Sequence, residues 1–186
     1  MFIPLHDFNS LKHIKLQWVT WSLIVVNFAI WGLTGLAGGD SEFTNAAVLG
    51  LGYIPAVANG VAYLDPLSVL VPENFTYVTY AFLHGSFFHV GSNMLFLWVF
   101  GDNVEDALGH IRFLLFYLAC AAAGAFVHGL LLPDSQAPWL GPPGRAAGIV
   151  PPSRWCTPGV GVWGLTEGGF RLRRPPLFPC FAWSAA

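Results

Sequence analysis

Charge is scarce in this sequence. Only 10% of its 186 residues are charged, whereas 55% are hydrophobic and the mean hydropathy is +0.58. An ordinary soluble domain carries about 25% charged residues, so this composition does not suit a surface that faces water on all sides. The formal net charge of −2 shows no basic excess, which argues against nucleic acid as a partner. The composition predicts a membrane protein whose solvent is the lipid bilayer.

Cysteine is also rare. The three cysteines form no CxxC pair and show no spacing typical of metal ligands: Cys120, Cys156 and Cys180. A disulfide framework and a cysteine metal site are therefore not predicted. No cofactor is predicted either, and the sequence gives no signal for an oligomeric state.

Three apolar runs predict membrane helices. Residues 17–39 contain no charge and are long enough to cross a hydrocarbon core of about 30 Å. The second run has its bilayer portion at 86–100 and is followed by a predicted acidic turn at 101–110. The third run covers 111–132, and the mixed segment 40–76 is predicted to be an external loop with short helices. The predicted fold class is therefore an all-α membrane protein with three recognisable spans.

The flanks of the first run predict its orientation. Lys12 and Lys15 precede it, and Trp18 and Trp21 lie at its entry. Cations favour the cytoplasmic side and tryptophans favour the interface, so the N-terminus is predicted to be cytoplasmic. We expect a multi-pass integral protein of a bacterial-type plasma membrane. A signal peptide that ends at the small residues 36–39 is the alternative interpretation.

The chain changes character at Pro138. Nine of its fourteen prolines and five of its six arginines lie from this residue onward. Proline in a helix interior costs about 3 kcal/mol, and the longest stretch free of charge and proline, Gly159–Thr166, is too short to span a membrane. The sequence therefore predicts a membrane domain at 1–138 and an aberrant, disordered tail at 139–186.

Polar residues interrupt the second apolar run. His89 and Asn93 are four residues apart and share a helix face, and His84 lies nearer the external end. Amide and imidazole N–H donors in a dry, closely packed site are what an oxyanion hole requires. The alternative of simple hydrogen bonds between helices is worth about 0.6 kcal/mol each. A second alternative is axial ligation of a metal or haem by His89 and His128.

The residues around this site resemble the rhomboid family of intramembrane serine proteases. The second run carries the pattern H-x4-H-x3-N-M, and the following segment carries GxxVExxLG. The first pattern is met by His84, His89, Asn93 and Met94, and the second by Gly101, Val104, Glu105, Leu108 and Gly109. The resemblance covers about residues 12–138.

The resemblance implies a six-helix fold that cleaves transmembrane segments of membrane-protein substrates within the lipid bilayer. It implies a serine in a GxSG motif on the fourth span and a histidine base on the sixth. By motif position, His89 and Asn93 would form the oxyanion hole and His84 would support them. The first loop would lie partly in the membrane, although Phe75-Thr76 replaces the family's usual Trp-Arg pair.

The chain departs from the family where the nucleophile is expected. No GxSG occurs, Pro143 stands in the place of the serine, and no histidine follows His128. Without a nucleophile and a base, an oxyanion hole has no tetrahedral intermediate to stabilise. We therefore expect an enzyme by family that is inactive as written. The alternative function is a non-catalytic membrane protein that binds other transmembrane helices.

A shift of reading frame would explain the tail. If residues 139–144 were encoded TGG TTG GGG CCT CCG GGG, translation from the third base would give Val-Gly-Ala-Ser-Gly. The codons are assumed, so this shows only that a neighbouring frame is compatible with the missing motif. The frame hypothesis predicts that the natural tail continues as a fourth and later spans.

Overall fold

The computed structural model describes residues 3–7, 12–36, 41–140, 162–166 and 169–173. Three long helices dominate these residues: α1 (Trp18–Leu36), α5 (Phe87–Leu108) and α6 (His110–Leu131). Three shorter helices lie between the first two of them: α2 (Glu42–Leu51), α3 (Pro55–Ala58) and α4 (Glu73–Thr79). One 3-10 turn, Pro66–Ser68, lies between α3 and α4, and a second, Tyr80–Phe82, lies between α4 and α5. The predicted all-α fold class is confirmed.

Local capping explains where the short helices begin. The Ser41 side chain accepts the Thr44 N–H at 3.1 Å, which satisfies a first-turn donor of α2. Pro55 opens α3 at a position where its missing N–H costs nothing. The Asp65 carboxylate accepts the Leu67 N–H at 2.9 Å before the first 3-10 turn. The loop at 40–76 therefore consists of short helices, as the sequence predicted.

The predicted turn at 101–110 is wrong. Helix α5 continues through these residues to Leu108, and the break is confined to Gly109, which has a φ of +78°. Glycine suits this left-handed position because it has no β-carbon. The acids in the segment do not end the helix, because Glu105 and Asp106 have hydrogen-bond partners elsewhere in the fold.

Two of the described helices are long and apolar enough to cross a membrane. They are Trp18–Gly35 within α1 and α6, with mean hydropathies of 1.4 and 1.9. Helix α5 is as long as α6 but carries three acids towards its end, namely Asp102, Glu105 and Asp106. Both predicted apolar runs at the start and end of the membrane domain therefore form helices of spanning length.

The chain folds as two compact units. Of the described residues, the first contains 3–7, 12–24, 91–117, 162–166 and 169–173. Within it, the start of α1 packs on α5, and a β-carbon at Gly101 would meet the Thr20 side chain at 3.1 Å. The rings of Trp21 and Trp98 meet edge to face, with their centroids 4.6 Å apart. Small and aromatic side chains thus hold the two helices together in this unit.

The second unit comprises residues 25–90 and 118–142 and has an aromatic core. Its buried centre consists of Tyr53, Tyr80, Ala81, Ala121 and Ala125. The Tyr80 hydroxyl donates to the Ala121 carbonyl at 2.8 Å, so the alanines of α6 admit the ring and also satisfy its polar end.

The chain that leaves α6 also packs on this core. Trp139 and Tyr53 exchange backbone hydrogen bonds as an isolated antiparallel bridge. The Trp139 ring stacks on Tyr80 with a centroid distance of 5.6 Å. The folded part of this unit therefore includes Trp139, the first residue of the segment that the sequence assigned to the tail.

A small antiparallel sheet joins the two ends of the described chain. Its strands are β1 (Ile3–Asp7), β2 (Val162–Thr166) and β3 (Gly169–Arg173), in the order β1-β2-β3. Two of these strands lie in the tail for which the sequence predicted disorder. The remainder of the tail beyond Leu140 lies outside the described residues.

Candidate functional site

Ser86 fixes the start of α5. Its hydroxyl accepts the His89 N–H at 3.2 Å, and its carbonyl accepts the Val90 N–H at 3.1 Å. A serine in this position satisfies first-turn donors that the helix itself cannot pair. The cap therefore sets the direction in which the His89 side chain leaves the first turn.

His84 and His89 form an edge-to-face pair. Their ring centroids are 5.1 Å apart and their planes are inclined at 69°. His84 is buried, and its Nδ1 lies 3.4 Å from the Phe82 carbonyl oxygen. Because a carbonyl oxygen only accepts, this contact is a hydrogen bond when Nδ1 carries a proton. The buried imidazole thus has a defined orientation next to His89.

His84 does not lie on the helix that carries His89. Helix α5 begins at Phe87, so His84 lies in the connection that follows the 3-10 turn at Tyr80–Phe82. The connection, rather than helical spacing, brings the two rings together. The contact between the two rings could therefore not be derived from helical periodicity.

Asn93 lies one turn after His89 on α5. Residues four apart on a helix share a face, so both side chains leave α5 in similar directions. Asn93 belongs to the first compact unit, whereas His84 and His89 belong to the second. Gly91, between His89 and Asn93, has no atom within 4 Å of the position of a β-carbon.

Bulky apolar side chains surround the start of α5. Phe87 and Phe88 are 56% and 85% exposed, and the Phe87 ring lies 5.5 Å from that of Trp31. Exposed phenyl groups next to a buried imidazole suit a lipid environment better than water. The polar pair therefore lies beside a surface that is suited to hydrocarbon.

The metal alternative finds no additional ligands in the described part of the chain. No group of three or more histidine, cysteine or acidic side chains could hold a metal ion within those residues. His128 stacks on Trp139, with a centroid distance of 3.7 Å and an angle of 16° between the rings. One face of this imidazole is thus occupied by an aromatic ring.

The position expected for the nucleophile lies outside the described residues. The structure describes the chain beyond α6 as far as Leu140. The Tyr53–Trp139 bridge fixes this segment, and so does the Ala56 N–H, which donates to the Ser135 carbonyl at 3.0 Å. Pro143 follows three residues later in the sequence. Ser153 and Ser184 also lie outside the described residues.

Two acids at the other end of α5 have contacts that the sequence did not predict. Glu105 and Asp106 are 0% and 6% exposed, and both accept backbone N–H groups from the residues before and at the start of α1. The available signal was a pair of adjacent acids within a long apolar helix. Their partners are more than 80 positions away in the sequence, so the signal did not identify them.

Comparison with known families gives one match to a family model. The family is described as "Rhomboid domain", and the match covers residues 72–151. The matched segment contains the histidine pair, Asn93 and the acidic pair of α5. It also extends past Leu140 into the predicted tail.

Two curated proteins are similar to the chain. Rhomboid protein 1, mitochondrial, of Saccharomyces cerevisiae is 34% identical over 82 residues, which is 44% of this chain and 24% of that protein. Rhomboid-like protein 11, chloroplastic, of Arabidopsis thaliana is 36% identical over 62 residues, which is 33% of this chain and 22% of that protein. The matches thus span less than a quarter of the length of either relative. No solved structure matches the chain at a significant level.

Proposed function

We propose that the chain is a member of the rhomboid family and that it retains the oxyanion-hole part of a rhomboid intramembrane serine endopeptidase without a working nucleophile. By family, such a protein is an integral membrane hydrolase. In this proposal His89 and Asn93 are the oxyanion donors, and His84 orients His89. The substrates of the ancestral reaction are transmembrane segments of other membrane proteins.

The geometry at the start of α5 supports these roles. His84 is buried, lies 3.4 Å through Nδ1 from the Phe82 carbonyl oxygen and meets His89 edge to face. Ser86 caps the turn that carries His89. An oxyanion hole works through donors that are already oriented when negative charge develops, and these contacts supply such orientation for one donor. The edge-to-face contact between the buried His84 and the half-buried His89 is the single observation that carries the proposal.

The missing serine and base support the proposed inactivity. Pro143 has no nucleophilic atom, and residues 129–186 contain no histidine that could accept a proton from a serine. We expect the purified chain neither to cleave a model transmembrane substrate nor to react with a fluorophosphonate. Labelling above that of a denatured sample would contradict the proposal.

A serine substitution separates the two defects. Pro143→Ser restores a hydroxyl at the expected position but adds no base, so we expect this variant to remain unlabelled by the fluorophosphonate. A labelled Pro143→Ser protein would show that another group activates the serine. In that case the proposed absence of a base would be wrong, although the assignment of the nucleophile position would stand.

Exposed apolar side chains support a first loop that lies partly in the membrane. In the segment between α1 and α5, large side chains are exposed to between 58% and 93%: Phe43, Val61, Tyr63, Leu67 and Phe75. An apolar surface of this kind is costly in water and favourable in the acyl region or interface of a bilayer. The lipid bilayer is therefore a partner of the loop in our proposal, and no nucleic acid partner is proposed.

The orientation that we propose has a cytoplasmic N-terminus, based on Lys12 and Lys15 before α1. We propose a bacterial-type plasma membrane as the location. The two named relatives are a mitochondrial and a chloroplastic protein, so an organellar membrane is the competing location. A fluorescent fusion expressed in a eukaryotic host distinguishes them, because organellar import would contradict the bacterial proposal.

A non-catalytic function is the second candidate. The small residues Gly85, Ser86 and Gly91 leave room for a close approach to the start of α5, and Gly91 has open space at its β-carbon position. A photocrosslinker in place of Phe88 should capture transmembrane helices if the chain binds them. The same crosslinker in place of the loop residue Glu42 is the control, and equal capture at both positions would contradict specific helix binding.

The frame hypothesis concerns the origin of the tail. The family match continues to residue 151, past the codons where the frame would shift, so the match itself does not support the frame hypothesis. Resequencing codons 135–150 is expected to reveal a neighbouring frame that encodes GxSG followed by apolar spans. If neither alternative frame encodes them, the frame hypothesis is wrong, and the chain is an inactive relative with a divergent tail.

A further inference from the structure

Two adjacent carboxylates at the end of α5 are buried in a chain with few charges. Glu105 is 0% exposed and accepts three hydrogen bonds from the start of α1. The donors are the Val19 N–H at 3.0 Å, the Thr20 N–H at 2.8 Å and the Thr20 hydroxyl at 2.7 Å. A helix N-terminus stabilises a negative charge placed in this way, because its first N–H groups have no partner within the helix.

Asp106 holds the segment before α1 in a similar way. Its carboxylate accepts the backbone N–H groups of Lys12, His13 and Ile14 at 2.9, 2.7 and 2.8 Å. Three N–H groups on one carboxylate fix the backbone of this segment against α5. Glu105 and Asp106, which we call the carboxylate latch, thus fasten two successive pieces of the N-terminal region to one helix end.

Each carboxylate of the latch also contacts an imidazole. His110 Nδ1 lies within hydrogen-bond distance of Glu105 Oε1, and His13 Nδ1 lies 3.4 Å from Asp106 Oδ2. The His110 side chain is 42% exposed and the His13 side chain is 72% exposed. Protons can therefore reach both imidazoles from solvent, although the carboxylates themselves are buried.

We propose that the carboxylate latch is proton-sensitive and that His110 is its main sensor. Histidine is the side chain whose charge ordinarily changes between pH 5 and 8. A protonated His110 places a positive charge against the fully buried Glu105 and offsets the cost of burying that negative charge. A neutral His110 offers only a hydrogen bond, so the latch is tighter at low pH and looser at high pH.

His13 contributes less because its ring is more exposed and its contact is longer. The remaining charged groups on the packed elements are Lys12 and Lys15 before α1, Asp102 on α5 and Arg112 on α6. Lysine, arginine and ordinary aspartate side chains keep their charge between pH 5 and 8. The imidazoles are therefore the groups that make the carboxylate latch depend on pH in this range. This dependence does not require the chain to be catalytically active.

Hydrogen exchange of the full chain in detergent micelles tests this proposal. We measure protection of the amides of residues 12–20 from pH 5.5 to 8, relative to the exchange rate of an unstructured peptide at each pH. The protection factor should fall about tenfold over this range, as expected when a charge-assisted hydrogen bond becomes a neutral one. In His110→Asn the protection should vary little with pH, whereas His13→Asn should keep most of the dependence.

Two further variants keep the test decisive. His128→Asn changes a histidine elsewhere in the fold and should leave the pH dependence of residues 12–20 intact. Glu105→Gln removes the charge that His110 senses, so it should lower protection and remove its pH dependence. The proposal is overturned if the wild-type protection factor is constant between pH 5.5 and 8, or if His110→Asn keeps the wild-type dependence.

Discussion

Thr20 donates two hydrogen bonds to one carboxylate oxygen of Glu105. Its backbone N–H lies 2.8 Å and its hydroxyl 2.7 Å from Glu105 Oε2, and both residues are buried. Glu105→Gln removes the charge and replaces one acceptor oxygen with an NH2 group, which leaves a first-turn donor of α1 unsatisfied. We expect a loss of about 3 kcal/mol in unfolding free energy, measured by thermal unfolding in a non-ionic detergent.

Glu42→Gln is the matched control for this substitution. Glu42 is an exposed acid at the start of α2, so the same chemical change there should have an effect below about 1 kcal/mol. Equal losses in the two variants would show that burial and the contact with Thr20 do not determine the effect at Glu105.

The contacts of Asp106 predict that the fold loses stability at acidic pH. Burial raises the pKa of this carboxyl group, but the backbone N–H groups of Lys12, His13 and Ile14 lower it more, and the net pKa is below its ordinary value of 3.8. The unfolded chain therefore takes up the proton first as the pH falls. The contribution of Asp106 is present above the ordinary value and is lost as the pH falls through the lowered value in the folded protein.

Asp106→Asn should remove this contribution. We expect the variant to be less stable than wild type at pH 7, and the difference should shrink as the pH is lowered from 5 to 3. Thermal midpoints in detergent at several pH values measure it. A difference that is constant over this range would show that the ionised form of Asp106 does not stabilise the fold.

The two apolar runs that became α1 and α6 could be predicted because each is continuous in the sequence and long enough to span. The end of α5 could not, because the segment 101–110 reads as a polar turn until the partners of its acids are known. Those partners are backbone N–H groups between Lys12 and Thr20, and a backbone donor leaves no residue pattern to recognise. Polarity alone therefore misplaced the end of the helix.

The candidate site was predictable in part for a similar reason. The spacing of His89 and Asn93 gives a shared helix face directly. The position of His84 depends on the 3-10 turn at Tyr80–Phe82, which the apolar sequence there does not signal. The stacking of Trp139 on His128 was not predicted, because the change in composition at Pro138 suggested that folding ends there.

Gly129 on α6 permits close packing of Tyr53. A β-carbon at this position would overlap the Tyr53 hydroxyl. Gly129→Ala must therefore displace a buried ring of the aromatic core, and we expect a loss of about 1–3 kcal/mol in stability. Gly32→Ala is the control, because a β-carbon at Gly32 has no atom within 4 Å, and it should be neutral or stabilising. Similar destabilisation by both variants would contradict a role for the Tyr53 contact.

Reporter fusions test the proposed orientation. A reporter after Lys15 should read cytoplasmic because Lys12 and Lys15 precede α1. A reporter between α2 and α4 should read external, since α1 lies between the two fusion sites. The reverse pattern would show that the proposed orientation is wrong, and removal of the N-terminal segment during expression would support a signal peptide.

A reporter after Arg173 decides between two opposing demands on topology. Strand β1 pairs with β2, so a chain that keeps this pairing in a membrane has both strands on one side. Crossings by α1, α5 and α6 would put them on opposite sides.

The energies of the two arrangements differ. Three strands of five residues need a packed apolar face to be stable. Each large apolar residue at the centre of a membrane helix contributes about 0.3–0.6 kcal/mol. Summed over the large apolar residues of α1, this favours insertion over strand pairing. We therefore expect the Arg173 reporter to read external. A cytoplasmic reading would mean an even number of crossings between the strands, and the three-span topology would be wrong.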